Sequence, residues 1–127
     1  MPAAERLNAL IEMVVAGRHA EAIEAFYHED ATMQENLNPP RVGRATLIEH
    51  ERRALARVKE VRSFKIGPAL IEGDTVMINW VFEFDYLDGS KMKMNEIARQ
   101  TWRGGRIAEE RFYYDPAQMK VQGPSGD

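Results

Sequence analysis

The chain has 127 residues, a formal net charge of -3, 44% hydrophobic and 29% charged residues, and no cysteine. That length and composition fit one ordinary globular domain and exclude disorder, while a mildly acidic chain lacks the field that gathers nucleic-acid backbones. Disulfides, thiol nucleophiles and thiolate metal sites are excluded, and no apolar run approaches the roughly 18 residues of a membrane span.

Leu7, Leu10, Ile11, Val14 and Val15 recur at helical spacing and predict a helix over 3–16, stopped at Gly17. A second short helix is expected over 19–27, with Ala22, Ile23 and Phe26 on one stripe. Residues 31–35 alternate weakly and read as a short strand, and 36–43, with asparagines, Pro39-Pro40 and Gly43, read as a loop. The third helix is expected over 45–59. Leu47, Ile48, Leu55 and Val58 form its apolar side, and Arg52, Arg53, Arg57 and Lys59 interleave with Glu49, Glu51 and Glu60 on the other. Interleaving of that kind describes a solvated face rather than a nucleic-acid surface.

From Val61 onward the hydrophobic period changes to two. A strand over 61–71 bends at Gly67-Pro68, because proline has no N–H for a central ladder. The clearest strand covers 75–86, with Ile78, Trp80, Phe82, Phe84 and Tyr86 on one face. Turns at Leu87–Ser90 and Gly104-Gly105 lead into strands over 92–102 and 106–114. The chain therefore reads as a single domain, 1–127, with an ordered core over about 3–118 and a tail over 119–127. Helices followed by a run of strands give the α+β class: three helices in the N-terminal half against a curved antiparallel sheet that forms a cone, a cystatin-like cone barrel. The acidic, short apolar start is not a signal peptide, so a cytoplasmic protein without a membrane partner is expected.

The segment Glu96-Ile97-Ala98-Arg99-Gln100-Thr101-Trp102-Arg103-Gly104-Gly105-Arg106-Ile107, ending in Arg111-Phe112-Tyr113-Tyr114-Asp115, resembles the last hairpin of SnoaL-like polyketide cyclases, within the nuclear transport factor 2-like superfamily. Phe26-Tyr27-His28-Glu29-Asp30-Ala31-Thr32, Gly43 before the third helix, and Trp80-Val81-Phe82 extend the likeness over about residues 3–115. The resemblance implies an interior pocket and commonly a homodimer through the outer face of the sheet. It implies no single activity, since the superfamily includes isomerases, epoxide hydrolases, cyclases and dehydratases. Against its ketosteroid isomerase branch, Glu35 falls at the position of the base, but Leu10 and Ala98 fall where the tyrosine and the protonated aspartate belong. The cyclase branch implies a single acid/base carboxylate on a late strand, for which Glu96 and Glu110 are the candidates.

Parity sharpens the site. If Trp80, Phe82 and Phe84 face inward, the next strand contributes Met92, Met94, Glu96, Ala98, Gln100 and Trp102, and the last contributes Ala108, Glu110, Phe112 and Tyr114. Glu96 is then a carboxyl in an apolar row, where desolvation raises its pKa toward the range useful for proton transfer. Glu35, Glu96 and Glu110 are the candidate catalytic residues. Met33, His50, Trp80, Phe82, Gln100, Trp102, Phe112 and Tyr114 are the candidate ligand-binding residues. His28 is read as a cap on the second helix and His19 as a surface residue. The dispersed histidines form no metal motif, and no dinucleotide, Walker or nucleophile-elbow fingerprint is present, so no cofactor or metal is expected. Two readings stay open. One is a cofactor-independent acid/base enzyme (isomerase, cyclase or hydrolase) acting on a hydrophobic small molecule. The other is a non-catalytic ligand-binding or dimerisation module. A homodimer is expected under both, with Val81, Ile97 and Tyr113 on the outer face of the sheet.

Overall fold

The computed structural model describes residues 3–120. It has three helices, α1 (Ala4–Val15), α2 (His19–Phe26) and α3 (Arg44–Leu55). Six strands, β1 (Tyr27–Glu35), β2 (Arg41–Val42), β3 (Val58–Glu72), β4 (Thr75–Tyr86), β5 (Lys91–Arg103) and β6 (Arg106–Tyr113), form one curved, unclosed sheet in the order β2-β1-β6-β5-β4-β3. The α+β cone expected from the sequence is the fold observed. One strand pair departs from the antiparallel rule: β1 runs parallel to β6, a geometry that needs a long crossover, and here most of the chain lies between them. Three further differences are local. The third helix, expected over 45–59, ends at Leu55, and Val58 and Lys59 belong to β3. The first strand begins at Tyr27, directly after α2, and Arg41–Val42, expected within a loop, pairs with Thr32 and Met33.

The helices cover the concave face of the sheet. Leu7 and Leu10 of α1, Ala22, Ile23 and Phe26 of α2, and Leu47 of α3 pack in one core with Val76, Ile78 and Trp80 of β4, Ala98 and Trp102 of β5, and Ile107 of β6. Arg6 locks this layer to the sheet. Its Nε donates to the Gly105 carbonyl at 2.7 Å, its Nη2 to the Ala25 carbonyl at 3.0 Å, and its guanidinium lies 4.7 Å from the centre of the Phe26 ring. That carbonyl is presented by a two-residue hairpin in which Gly104 and Gly105 both have positive φ (58° and 80°), the requirement that favours glycine in such turns.

Sheet irregularities decide which residues face inward. On β3 the pairing with β4 shifts between Ile66 and Leu70, at the bend expected from Gly67-Pro68. On β6 a bulge follows Ile107: Trp102 pairs with Ile107, but Thr101 pairs with Glu109. Ala108 is the extra residue, so Ile107 takes the inward position expected for Ala108, and Glu110 and Phe112 keep theirs. Past the end of β6, a 3-10 turn at Pro116–Met119 brings Gln118 against β5. Its side-chain amide accepts from Asn95 N (2.7 Å) and donates to Asn95 O (3.0 Å), replacing the missing strand. Residues 119 and 120, the start of the expected tail, are described, and 121–127 lie outside the described residues.

On the solvent side of α3, Arg53 pairs with Glu49 (2.9 Å), and Arg62 at the start of β3 bridges Glu60, Glu83 and Asp85 at 3.0–3.1 Å. Arg53 of the interleaved group is thus engaged by an acid of its own helix, as the interleaving suggested. Among the described residues no helix is long and apolar enough to cross a membrane. The bulge gives a direct test. Ile107→Ala, at a fully buried site, is expected to cost about 2–5 kcal/mol in urea unfolding. Ala108→Ser, at the half-buried bulge, should cost less than about 1 kcal/mol. The reverse order would place the bulge elsewhere.

Candidate functional site

The inward row of β5 is largely covered. Trp102, Gln100, Ala98 and Met94 are buried, and Glu96 and Met92 are half-buried. Strand pairing sets Trp80 beside Glu96, Ile78 beside Ala98, and Phe82 beside Met94 on one flank. On the other flank Glu110 lies beside Gln100 and Phe112 beside Ala98, with Met33 and Glu35 of β1 next to those two. Glu35, Glu96 and Glu110 therefore occupy one concave face, contributed by three strands.

Glu110 is 4% exposed and fully partnered. Its Oε1 accepts from the Tyr27 hydroxyl, its Oε2 from Gln100 Nε2 at 2.8 Å, and Gln100 Oε1 accepts from Trp102 Nε1 at 3.0 Å. Burial pushes its pKa up to about 7, with a smaller push from the charge of Glu51, while the two hydrogen bonds stabilise the carboxylate and hold the value back. The same burial, with the neighbouring Glu110 charge, pushes the Tyr27 hydroxyl well above its ordinary range.

Glu96 is the opposite case. Among the described residues its carboxyl has no hydrogen-bond or ion-pair partner. Burial in the apolar row, then the charges of Glu110, Glu35 and Glu51, push its pKa up to about 8.

On β1, Glu35 Oε2 pairs with Arg41 Nη1 and its Oε1 accepts from the Tyr114 hydroxyl, both at 3.1 Å. Burial and the Glu35 carboxylate push Tyr114 up to about 12. Along β4 the rings of Trp80, Phe82, Phe84 and Tyr86 follow one another at centroid spacings of 5.6, 6.2 and 6.2 Å, so one aromatic track leads from the core to the rim.

The helical side holds residues that the sequence reading placed elsewhere. His50 is exposed and does not turn inward. The buried stripe of α3 centres on Leu47, Ile48 and Leu55, which puts Glu51 in its middle and His50 about 100° around the helix. Glu51, expected on the solvated face, is half-buried, and its charge reaches Tyr27, Glu96 and Glu110. His19, expected on the surface, is 10% exposed, with Nδ1 3.4 Å from Glu51 Oε1 and Nε2 3.0 Å from Ser63 Oγ. His28 does not cap α2: it lies on β1 and bonds the Arg103 carbonyl. Met33, Trp80, Gln100 and Trp102 are buried core residues, and Phe82, Phe112 and Tyr114 are half-buried. Two surface depressions, of about 590 and 220 Å³, are lined by Leu70, Met77, Arg99 and Tyr113 and by Arg62, Asp85, Lys91 and Met92 among others. Neither is lined by the three glutamates. Among the described residues no cluster of three or more histidine, aspartate or glutamate side chains is placed to hold a metal ion.

The SnoaL-like domain family model matches residues 7–110. A Mesorhizobium loti protein assigned as a SnoaL-like polyketide cyclase is 25% identical, with a TM-score of 0.74 over 90% of this chain and 100% of that one. A Catenulispora acidiphila protein with a ketosteroid isomerase-like fold, solved with trimethylamine, is 19% identical (TM-score 0.71; 86% and 87% of the two chains). TerC, co-crystallized with polyporic acid, is 17% identical (TM-score 0.74; 91% and 92%). No curated protein matches in sequence.

The carboxyls give a pH signature. Glu96 and Glu110 keep their protons to about pH 8 and 7 in the folded chain, against an ordinary value of 4.5. The folded state therefore binds more protons between these limits, so the stability from these groups is full below about pH 4.5 and is lost as pH rises through 7 to 8. Urea unfolding should show that decline, and Glu96→Gln should reduce it by about 1–3 kcal/mol between pH 5 and 8.5. An unaltered slope in the variant would mean that Glu96 is not desolvated.

Proposed function

Because this chain belongs to the SnoaL-like domain family, we propose that it takes a hydrophobic small molecule at the open end of its cone and acts on it by cofactor-independent acid/base chemistry, with Glu96 as the proton-transfer group. The observation that carries this reading is the unpartnered Glu96 carboxyl in an otherwise apolar row, beside Trp80 and below the aromatic track of β4. A carboxyl with a pKa of about 8 holds its proton at neutral pH and is suited to donate it to a carbonyl or epoxide oxygen. Glu35, which accepts hydrogen bonds on both oxygens, supplies the second carboxylate, the base of the pair. Phe82, Phe112 and Tyr114 would contact the apolar body of the substrate, and Met33, Gln100 and Trp102 form the floor beneath it. This division of labour supports an isomerase, cyclase or hydrolase of an apolar carbonyl or epoxide compound. TerC, a neighbour in fold, was crystallized with polyporic acid, and that is consistent with an organic ligand in this architecture.

The outer face supports a homodimer. Phe64, Ile66, Met77, Ile97 and Tyr113 are exposed there, and Ile97 and Tyr113 are direct cross-strand neighbours. The second reading, a ligand-binding or dimerisation module without turnover, is favoured by the two depressions, neither of which is lined by the glutamates.

A panel of apolar carbonyl and epoxide compounds separates the two. Turnover that falls as pH rises through about 8, and that Glu96→Gln lowers at least 100-fold, is the expected result. Binding without turnover selects the module, and turnover unchanged in Glu96→Gln removes this residue from the mechanism. For the dimer, light scattering at micromolar concentration should give twice the 14.5 kDa chain mass, falling to one chain in Ile97→Asp. A wild-type mass of one chain would refute the interface.

A further inference from the structure

Three side chains from three elements meet where the helical layer covers β3. Ser63, on the inward side of β3 opposite Phe82, is 6% exposed. Its Oγ lies 3.0 Å from Nε2 of His19, the first residue of α2. The other ring nitrogen, Nδ1, is 3.4 Å from Oε1 of Glu51 on α3. The Phe82 ring meets the imidazole edge-on at 5.4 Å and fixes its plane. A carboxylate only accepts hydrogen bonds, so the proton facing Glu51 belongs on Nδ1, and Nε2 is left as an acceptor for the Ser63 hydroxyl. The order hydroxyl, imidazole and carboxylate, with each ring nitrogen in its own role, is the arrangement that activates a serine.

We propose that Ser63 is a nucleophile activated by His19, with Glu51 as the residue that positions the imidazole, and that this second site accepts acyl groups from esters of apolar acids. Ser63 Oγ attacks the ester carbonyl carbon as its proton passes to His19 Nε2. The bond to the leaving oxygen breaks, and His19 returns the proton to that oxygen, so an alcohol departs and the acyl group stays on Ser63. Water then attacks the acyl carbon and gives its proton to His19. The acid is released as the proton returns to Ser63. The apolar side of the substrate follows from Phe82, which packs on His19 and belongs to the aromatic track of β4. None of these steps uses Glu96.

The test is covalent labelling with an alkyl fluorophosphonate, read by intact mass and peptide mapping. One adduct on Ser63 is expected, absent in Ser63→Ala and formed at least 10-fold more slowly in His19→Gln. A wild-type protein without an adduct at Ser63, or one labelled there equally fast in His19→Gln, would overturn the proposal. As the chain has no cysteine, Ser63→Cys supplies a single thiol that reports on the same partners without a change of shape. Its iodoacetamide reaction should have an apparent pKa below the free-thiol value of about 8.5. That value should rise in Ser63→Cys combined with His19→Gln or with Glu51→Gln, while circular dichroism confirms the fold of each variant. A merely structural tie would leave the thiol at or above its free value with and without His19, and that result would also overturn the proposal.

Discussion

The buried carboxyl of Glu110 is the constraint around which this cone is organised. Leaving such a group without donors inside a core costs several kcal/mol, so its two oxygens dictate what surrounds them. One is met by the Tyr27 hydroxyl from the start of β1, the other by Gln100 from β5, and Gln100 is in turn held by the Trp102 indole. These bonds join the ends of a long excursion of the chain: β1 lies beside β6 in parallel register only after four further strands have been laid down. The polar chain thus selects one register among the many that a simple apolar face would accept.

The same row shows how neighbouring carboxyls acquire different character. Glu110 and Glu96 are both desolvated, yet one is given donors and the other is given none. Alternation alone makes them equivalent. Their difference arises because β6 ends at Tyr113, opposite Ile97, so no β6 residue is paired beside Glu96 to supply a donor.

The helical layer contributes charge as well as cover. Glu51 and His19 come from helices whose apolar stripes pack on the sheet, and each projects from the stripe toward the interior. Because α2 and α3 pack against each other and against β1, the Glu51 charge is held within reach of Glu96, Glu110 and Tyr27. The electrostatics of the interior are therefore set jointly by the lid and the sheet.

Much of this was legible in the sequence. Helical spacing in residues 7–15, alternation in 75–86, and glycine or proline at each bend were enough for the order of elements, the α+β class and the inward parity of Trp80, Glu96 and Gln100, because these follow from local periodicity. Site features that depended on long-range placement were not legible. A single bulge exchanged Ile107 for Ala108, and a rotation of about 100° on α3 exchanged Glu51 for His50, which no local pattern separates firmly. Tyr27 was hidden in the junction between α2 and β1, and His19 looked solvent-exposed beside Gly17 until β3 supplied Ser63 against it. The sequence by itself determined the inward face of β4 and β5. Tertiary structure alone decided which of them are desolvated and which receive a partner, because desolvation and hydrogen bonding depend on what distant segments place across the interior.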